Sequence, residues 1–185
     1  MRKLHVFNHV SLDGYFVDGR GDMSWAHGED PEFQAFTQDN ASGQAAMLFG
    51  RITYQMMAGF WPTPAAAQMM PEVAASMNAA AKYVFSRTLS KAEWSNTTLL
   101  KGDIAAETRR LKAEPGPDLL IMGSGTIVAQ LTEAGLIDAY QIVVNPLVLG
   151  SGRTMFDGVT RRINLALDKS RSFKNGKTVL WYSKG

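Results

Sequence analysis

The sequence predicts an α/β domain built on a mixed central sheet of about eight strands, with flanking helices and an antiparallel hairpin at its C-terminal end. Three observations predict it. Leu119-Leu120-Ile121-Met122 is a run of large apolar residues, as in a strand covered on both faces, and Gly123-Ser124-Gly125-Thr126 turns it into a helix carrying Ile127, Val128 and Leu131. Ala45 to Phe49 repeats the pattern, a buried strand that stops at Gly50 before Arg51-Ile52-Thr53-Tyr54 opens a helix. Asn175-Gly176 separates two β-rich segments, Leu165 to Phe173 and Thr178 to Tyr182, and is a strong hairpin signal.

The chain has 185 residues, 45% of them hydrophobic and 19% charged, which predicts one soluble domain over 1–185 with a substantial core. The formal charge is only +2 and the basic residues are scattered, with Arg109-Arg110 and Arg161-Arg162 as the adjacent arginine pairs. That pattern supplies no nucleic-acid stripe and no polybasic membrane patch. There is no cysteine, hence no disulfide, no thiolate nucleophile and no Cys-ligated zinc. Polar residues interrupt the N-terminal run Leu4 to Val10 too often for a secretory segment, and no run reaches membrane-spanning length, so the expected compartment is the cytoplasm.

Along the chain, Lys3 to Val10 reads as a first strand ending in a turn at Ser11-Leu12-Asp13-Gly14. Phe16 to Asp22 is rich in turn residues, which predicts a mobile, exposed loop before Trp25. Asp30 suits a helix N-cap, with Pro31 at the first helical position and Glu32 in the first turn. After the Gly50 junction, Thr63-Pro64 opens a helix from about Ala65 to Ala80 with Met69, Met70, Val73 and Met77 on one side, a spacing typical of a core or interface. Tyr83 to Arg87 and Thr97 to Leu100 read as strands; Asp103 to Ala113 is an amphipathic helix closed by Pro115-Gly116-Pro117. Gly135 ends the helix of the central unit, and Ala139 to Val144 is a further apolar strand leading into Asn145 to Gly152. About four helices result.

Three strand ends offer small or polar groups that can hold phosphate: Gly50 to Thr53, Ser86-Arg87 and Gly123 to Thr126. Ligands of open α/β sheets settle at the carboxyl ends of strands, where helix N-termini present free N–H groups to anions. The Gly123 turn lacks the longer G-x-G-x-x-G spacing, and on its own it serves close helix–strand packing as well as a pyrophosphate. Three such ends together favour a large, multiply phosphorylated ligand.

Phe49 to Tyr54, Phe85-Ser86-Arg87-Thr88 and Met122 to Thr126 resemble, in order and spacing, the three NADPH-binding segments of the dihydrofolate reductase fold. With Ser11 to Gly14 and Asn145 to Gly152, the chain more closely resembles the reductase domain of bifunctional riboflavin-biosynthesis deaminase-reductases and their stand-alone bacterial relatives, over essentially its whole length. The resemblance implies that Gly50, Arg51, Ile52 and Thr53 contact the cofactor near its 2′-phosphate and pyrophosphate, that Ser86 and Arg87 flank the adenosine phosphate, and that Gly123, Ser124, Gly125, Thr126 and Ile127 hold the pyrophosphate. Two arginines beside one phosphate favour NADPH over NADH.

It also places Asp13 and Gly14 near the nicotinamide and substrate; as residues, they read equally well as a turn. Asp30 follows Trp25 at the interval that separates tryptophan and proton-relay carboxylate in dihydrofolate reductases, so it is a catalytic candidate as well as a helix cap. His5, His9 and His27 have no metal-site spacing, and no metal is expected. Without cysteine the chain cannot supply the zinc deaminase half, so the expected reaction is the reduction: hydride transfer to a pyrimidine- or pterin-like small molecule, as in 5-amino-6-(5-phosphoribosylamino)uracil reductase. Phe60 to Pro64 stands where a folate-clamping arginine would be, which argues against dihydrofolate reduction; that activity, another pterin reduction and non-catalytic NADPH binding are the alternatives. Arg153 and Lys174 are candidates for a substrate phosphate. The resemblance further implies a homodimer, through the methionine-rich helix or the terminal ribbon.

Overall fold

The computed structural model describes residues 1–28, 30–41 and 43–185. In chain order it contains β1 (Leu4–Ser11), β2 (Tyr15–Asp18), α1 (Pro31–Ala41), β3 (Ala46–Gly50), α2 (Arg51–Phe60), α3 (Pro64–Met69) and α4 (Pro71–Ala79). There follow β4 (Lys82–Phe85), β5 (Thr97–Leu100), α5 (Ile104–Ala113), β6 (Leu119–Met122), α6 (Gly125–Glu133), β7 (Ala139–Asn145), β8 (Gly152–Thr154), β9 (Leu165–Ser172) and β10 (Thr178–Lys184). The main sheet has eight strands in the order β5-β4-β3-β6-β1-β7-β10-β9. β5 through β7 in that order run parallel, while β10 is antiparallel to both neighbours. Six parallel strands therefore present their carboxyl ends together, and the ribbon predicted around Asn175-Gly176 closes the sheet laterally, beside β7.

Strand alternation divides the core between the two faces of the sheet. Leu4 and Val6 of β1, Leu48 of β3 and Leu119 and Ile121 of β6 turn to α5 and α6, where they meet Leu111, Val128 and Leu131. Met47 and Phe49, one residue out of phase, turn to the opposite face and pack with Tyr54, Met77, Val84 and Trp94. Each fully buried side chain of this kind contributes about 1.5–3 kcal/mol of transfer free energy. Lys82, completely buried, is kept in place by its surroundings: its ammonium donates to the carbonyls of Met77, Asn78 and Ala80 at the end of α4 and lies 4.4 Å from the Trp94 ring centre.

Four expectations are corrected. The helix expected from Ala65 to Ala80 is two helices, because Pro71 cannot donate to the preceding turn and holds Met70 out of the helical region, at φ −143° and ψ 69°. With that break the α-helices among the described residues number six, against the expected four or so. The segment after Gly14 is not an exposed loop: β2 pairs antiparallel with β8 in a small second sheet, and Phe16 and Val17 are buried. Its turn residues are confined to 18–22, where the Gly21 N–H bonds the Asp18 carbonyl. The strand at Tyr83 stops at Phe85 rather than Arg87. Among the described residues, no helix is long and apolar enough to cross a membrane.

Candidate active site

The carboxyl ends of β1, β3 and β6 open into one cleft of about 820 Å³. The turns after β3 and β6 line it side by side, through Gly50 to Thr53 and Gly123 to Ile127. They are tied together by Ser124, whose hydroxyl accepts the Gly50 N–H at 2.9 Å while its own N–H donates to Thr53 Oγ1 at 3.2 Å. Holding Ser124 there requires left-handed backbone, φ 53° and ψ 52°, which for a non-glycine residue costs about 1–2 kcal/mol.

The helices that follow β3 and β6 both begin in this cleft. Asp30, Thr63 and Asp103 cap α1, α3 and α5 with side-chain oxygens. Gly50 and Ser124, in contrast, give α2 and α6 no side-chain cap, as Met70 gives none to α4, which instead opens with Pro71. The leading N–H groups of α2, and those of Gly125 and Thr126 in α6, have no side-chain partner and can meet a ligand, whereas the Ile127 N–H bonds the Ser124 carbonyl at 2.8 Å; each helix start carries the equivalent of about +0.5 charge. Arg51 and Arg153 also line the cleft, and among the described residues no Asp or Glu does. Such a donor set fits the linked phosphates of a dinucleotide.

Arg153 reaches this position through an aromatic intermediary. The Phe16 ring, 7% exposed, lies so close to Gly125 that a Cβ there would sit 2.4 Å from two ring atoms, and the Arg153 guanidinium carbon lies 5.3 Å from the ring centre. The β2–β8 arm therefore lays a phenyl ring on the start of α6 and a cation over the ring. Gly152 permits the arm itself, since a side chain there would meet the Val17 carbonyl oxygen at 2.0 Å.

The floor is β1. Buried Asn8 accepts the His9 N–H at 2.9 Å and donates to the Gly123 carbonyl at 3.4 Å, linking floor to turn. His9 packs edge-on against Phe7 and Phe33, and burial, helped by the charge of Lys177, holds its imidazole down to about 4, so it is neutral near pH 7. Lys177 is buried beside it, donating to the Ala26 carbonyl with its ammonium 4.5 Å from the Phe33 ring centre. Burial lowers its affinity for the proton, and the charge of Asp30 partly restores it.

Among the predicted site residues, Gly50 to Thr53 and Gly123 to Ile127 are brought together. The others are placed elsewhere. Ser86 and Arg87 follow Phe85, which lines the cleft, without lining it; the Ser86 hydroxyl accepts the N–H groups of Thr88 and Leu89. Asp30 is buried and bonds the Phe33 N–H at 2.8 Å as the cap of α1. Asp13 accepts the Ser11 hydroxyl at 2.6 Å and the Gly150 and Leu149 N–H groups, and these bonds hold its carboxyl down to about 2. It fastens the turn after β1 to the loop before β8. Of the two basic candidates, Arg153 lines the cleft and Lys174 does not. Among the described residues, no group of three or more His, Asp or Glu could hold a metal ion.

Sequence reasoning passed over Asn8, His9 and Phe16 as cleft residues. The signal for the first two was visible, as polar residues interrupting a central strand. For Phe16 there was none, because its role depends on β2 pairing with a strand far away in sequence. The methionines read as core or interface divide: Met77 is core, whereas Met69 and Met70 join Met56, Met57 and Trp61 as one wall of the cleft.

Comparison with known proteins matches this arrangement to one family. The profile of the RibD C-terminal domain matches residues 2–179. The Bacillus subtilis proteins YyaP and YwjB, both uncharacterized, are 28% and 27% identical over 94% and 93% of this chain and 90% and 92% of their own. Among solved structures, a Shewanella sp. PV-4 protein described as belonging to riboflavin biosynthesis superposes with a TM-score of 0.75 at 24% identity, covering 99% of both chains. The Thermotoga maritima diaminohydroxyphosphoribosylaminopyrimidine deaminase/5-amino-6-(5-phosphoribosylamino)uracil reductase superposes with a TM-score of 0.70 at 13% identity, over all of this chain and 57% of that one. At these identities the structures show the fold.

Proposed function

Because the chain belongs to the RibD C-terminal domain family, we propose that it is an NADPH-dependent reductase that transfers hydride to a C=N or C=O carbon of a small heterocyclic substrate. Bound NADPH would supply the hydride. The observation that carries this reading is the pair of helix N-termini without side-chain caps, locked together by Ser124 in a cleft lined by two arginines and, among the described residues, no carboxylate. The first turns of α2 and α6 would hold the pyrophosphate, and Arg51 a phosphate on the adenosine side.

The chain's own contribution is orientation and electrostatics rather than acid–base chemistry. In this reading Asp30 and Asp13 are positioning residues, since one caps α1 and the other fastens two loops. His9, held neutral, shapes the floor of the cleft beside Phe7 and Phe33. The proton that balances the hydride then comes from water.

Titrating the purified protein with NADPH and with NADH while following tryptophan fluorescence and melting temperature tests the cofactor assignment. NADPH is expected to quench the fluorescence and raise the melting temperature, and to do so at lower concentration than NADH. No response to either nucleotide would overturn the assignment. If NADPH binds but no pyrimidine, pterin or simple carbonyl compound accelerates the loss of its absorbance, the protein is a binder and not a reductase.

A further inference from the structure

One wall of the cleft has a chemistry different from that of its cationic end. Phe33 of α1, Met57 and Trp61 around the end of α2, and Met69, Met70 and Val73 around the α3–α4 break all line it, and none carries charge. The Trp61 ring is fixed by its N–H, which contacts Met57 Sδ at 3.1 Å. Although they face a cavity rather than the core, Met56 and Met69 are 53% and 69% exposed. Large apolar side chains left open to water on the wall of a cleft mark an apolar occupant, and flexible methionines around one tryptophan suit a flat ring system.

The cations are elsewhere. Arg51 opens α2, and Arg153 is held over Phe16 at the start of α6, so both belong to the end that takes the cofactor. Lys177 is committed to the Ala26 carbonyl and the Phe33 ring, and His9 lies between Phe7 and Phe33. Among the described residues, a phosphate on the substrate would meet on this side of the cleft only the uncharged side chains of Gln34, Thr37 and Gln38 beside the methionines and tryptophan, with no arginine or lysine to offset its charge, or would compete with the cofactor for its arginines.

Resting on the reductase reading above, we propose that the substrate is a flat, uncharged aromatic or heteroaromatic carbonyl or imine without a phosphate group, bound against the Met57–Trp61–Met70 wall. In the reaction the carbonyl or imine carbon gains the hydride, its oxygen or nitrogen gains a proton from water, and NADPH becomes NADP⁺.

A matched pair of probes tests this, naphthaldehyde and its ring-phosphate ester, each titrated into the NADPH-loaded protein and, separately, into the protein alone. Tryptophan fluorescence reads binding and nicotinamide absorbance reads turnover. The neutral aldehyde should bind at least about tenfold more tightly than the ester. Met69→Lys and Met56→Lys, at positions 69% and 53% exposed, should narrow or reverse that ratio. Equal or tighter binding of the ester to the unaltered protein, or binding of neither probe, would overturn the substrate class. Because the pair is also titrated without nucleotide, a failure of the protein to bind or oxidise NADPH registers separately, as a failure of the reductase reading.

Discussion

The hydroxyl of Ser124 accepts the backbone N–H of Gly50 at 2.9 Å across 74 positions of sequence. This one bond sets the spacing between the starts of α2 and α6, and with the Ser124 N–H on Thr53 it ties two separate strand ends into the one junction proposed to hold the pyrophosphate. Ser124→Ala removes the acceptor and leaves a half-buried N–H without it. The expected loss is about 1–2 kcal/mol of stability, a fall of roughly 2–8 °C in melting temperature for a chain of this size. NADPH affinity should fall as well, measured by tryptophan quenching. An unchanged affinity would show that the junction does not set the nucleotide site.

Phe16 and Gly125 are a packed pair, and the geometry allows no side chain between them. Gly125→Ala should cost about 1–3 kcal/mol by overpacking, read as a lower urea midpoint. Phe16→Leu in the same chain should recover part of that loss, because the shorter side chain vacates the space. Additive losses in the double variant would mean that the two positions do not interact.

Arg51 lines the cleft and is free to turn toward a ligand, its present hydrogen bond being an exposed one to Gln55 at 3.1 Å. Replacing Arg51 and Arg87 together by alanine should weaken NADPH by about tenfold or more while changing NADH little, since the extra phosphate is what distinguishes the two. Equal losses for both nucleotides would remove the phosphate assignment. The Arg87 single variant then reports whether a residue outside the cleft wall contributes at all.

Burial lowers the His9 imidazole from 6.5 to about 4. Between those values the unfolded chain binds a proton that the folded chain refuses, so acidification from pH 6.5 toward pH 4 destabilises the fold, by at most about 3 kcal/mol from this group. Above pH 6.5 the group contributes no slope. His9→Gln should flatten that part of a plot of urea midpoint against pH, and a slope that persists unchanged in the variant would assign it to other groups.

Much of the cleft is legible in the chain itself, because the strand, glycine, helix junctions at Gly50 and Gly123 are local. Apolar runs four residues long and the glycines that end them fix where strands stop, and the helices that follow must begin there. The same locality explains the Asn175-Gly176 hairpin, although its turn closes with the Gly176 N–H on the Phe173 carbonyl and so uses one more residue than a two-residue loop. The break at Met70 is also local, written in Pro71, and is obscured by the stronger helical spacing of the methionines around it.

The sequence by itself determined the α/β class, the parallel units and the two strand, glycine, helix junctions, because those depend on residues within one or two turns of each other. Only tertiary structure decided that the junctions share a cleft, that Phe16 covers the start of α6, and that Asp13 and Asp30 serve loop and cap. It also decided that half of a methionine-rich stretch faces a cavity rather than the core. These are relations between residues distant in the chain, set by the order in which strands pair in the sheet, and neither hydrophobic period nor local turn chemistry encodes that order.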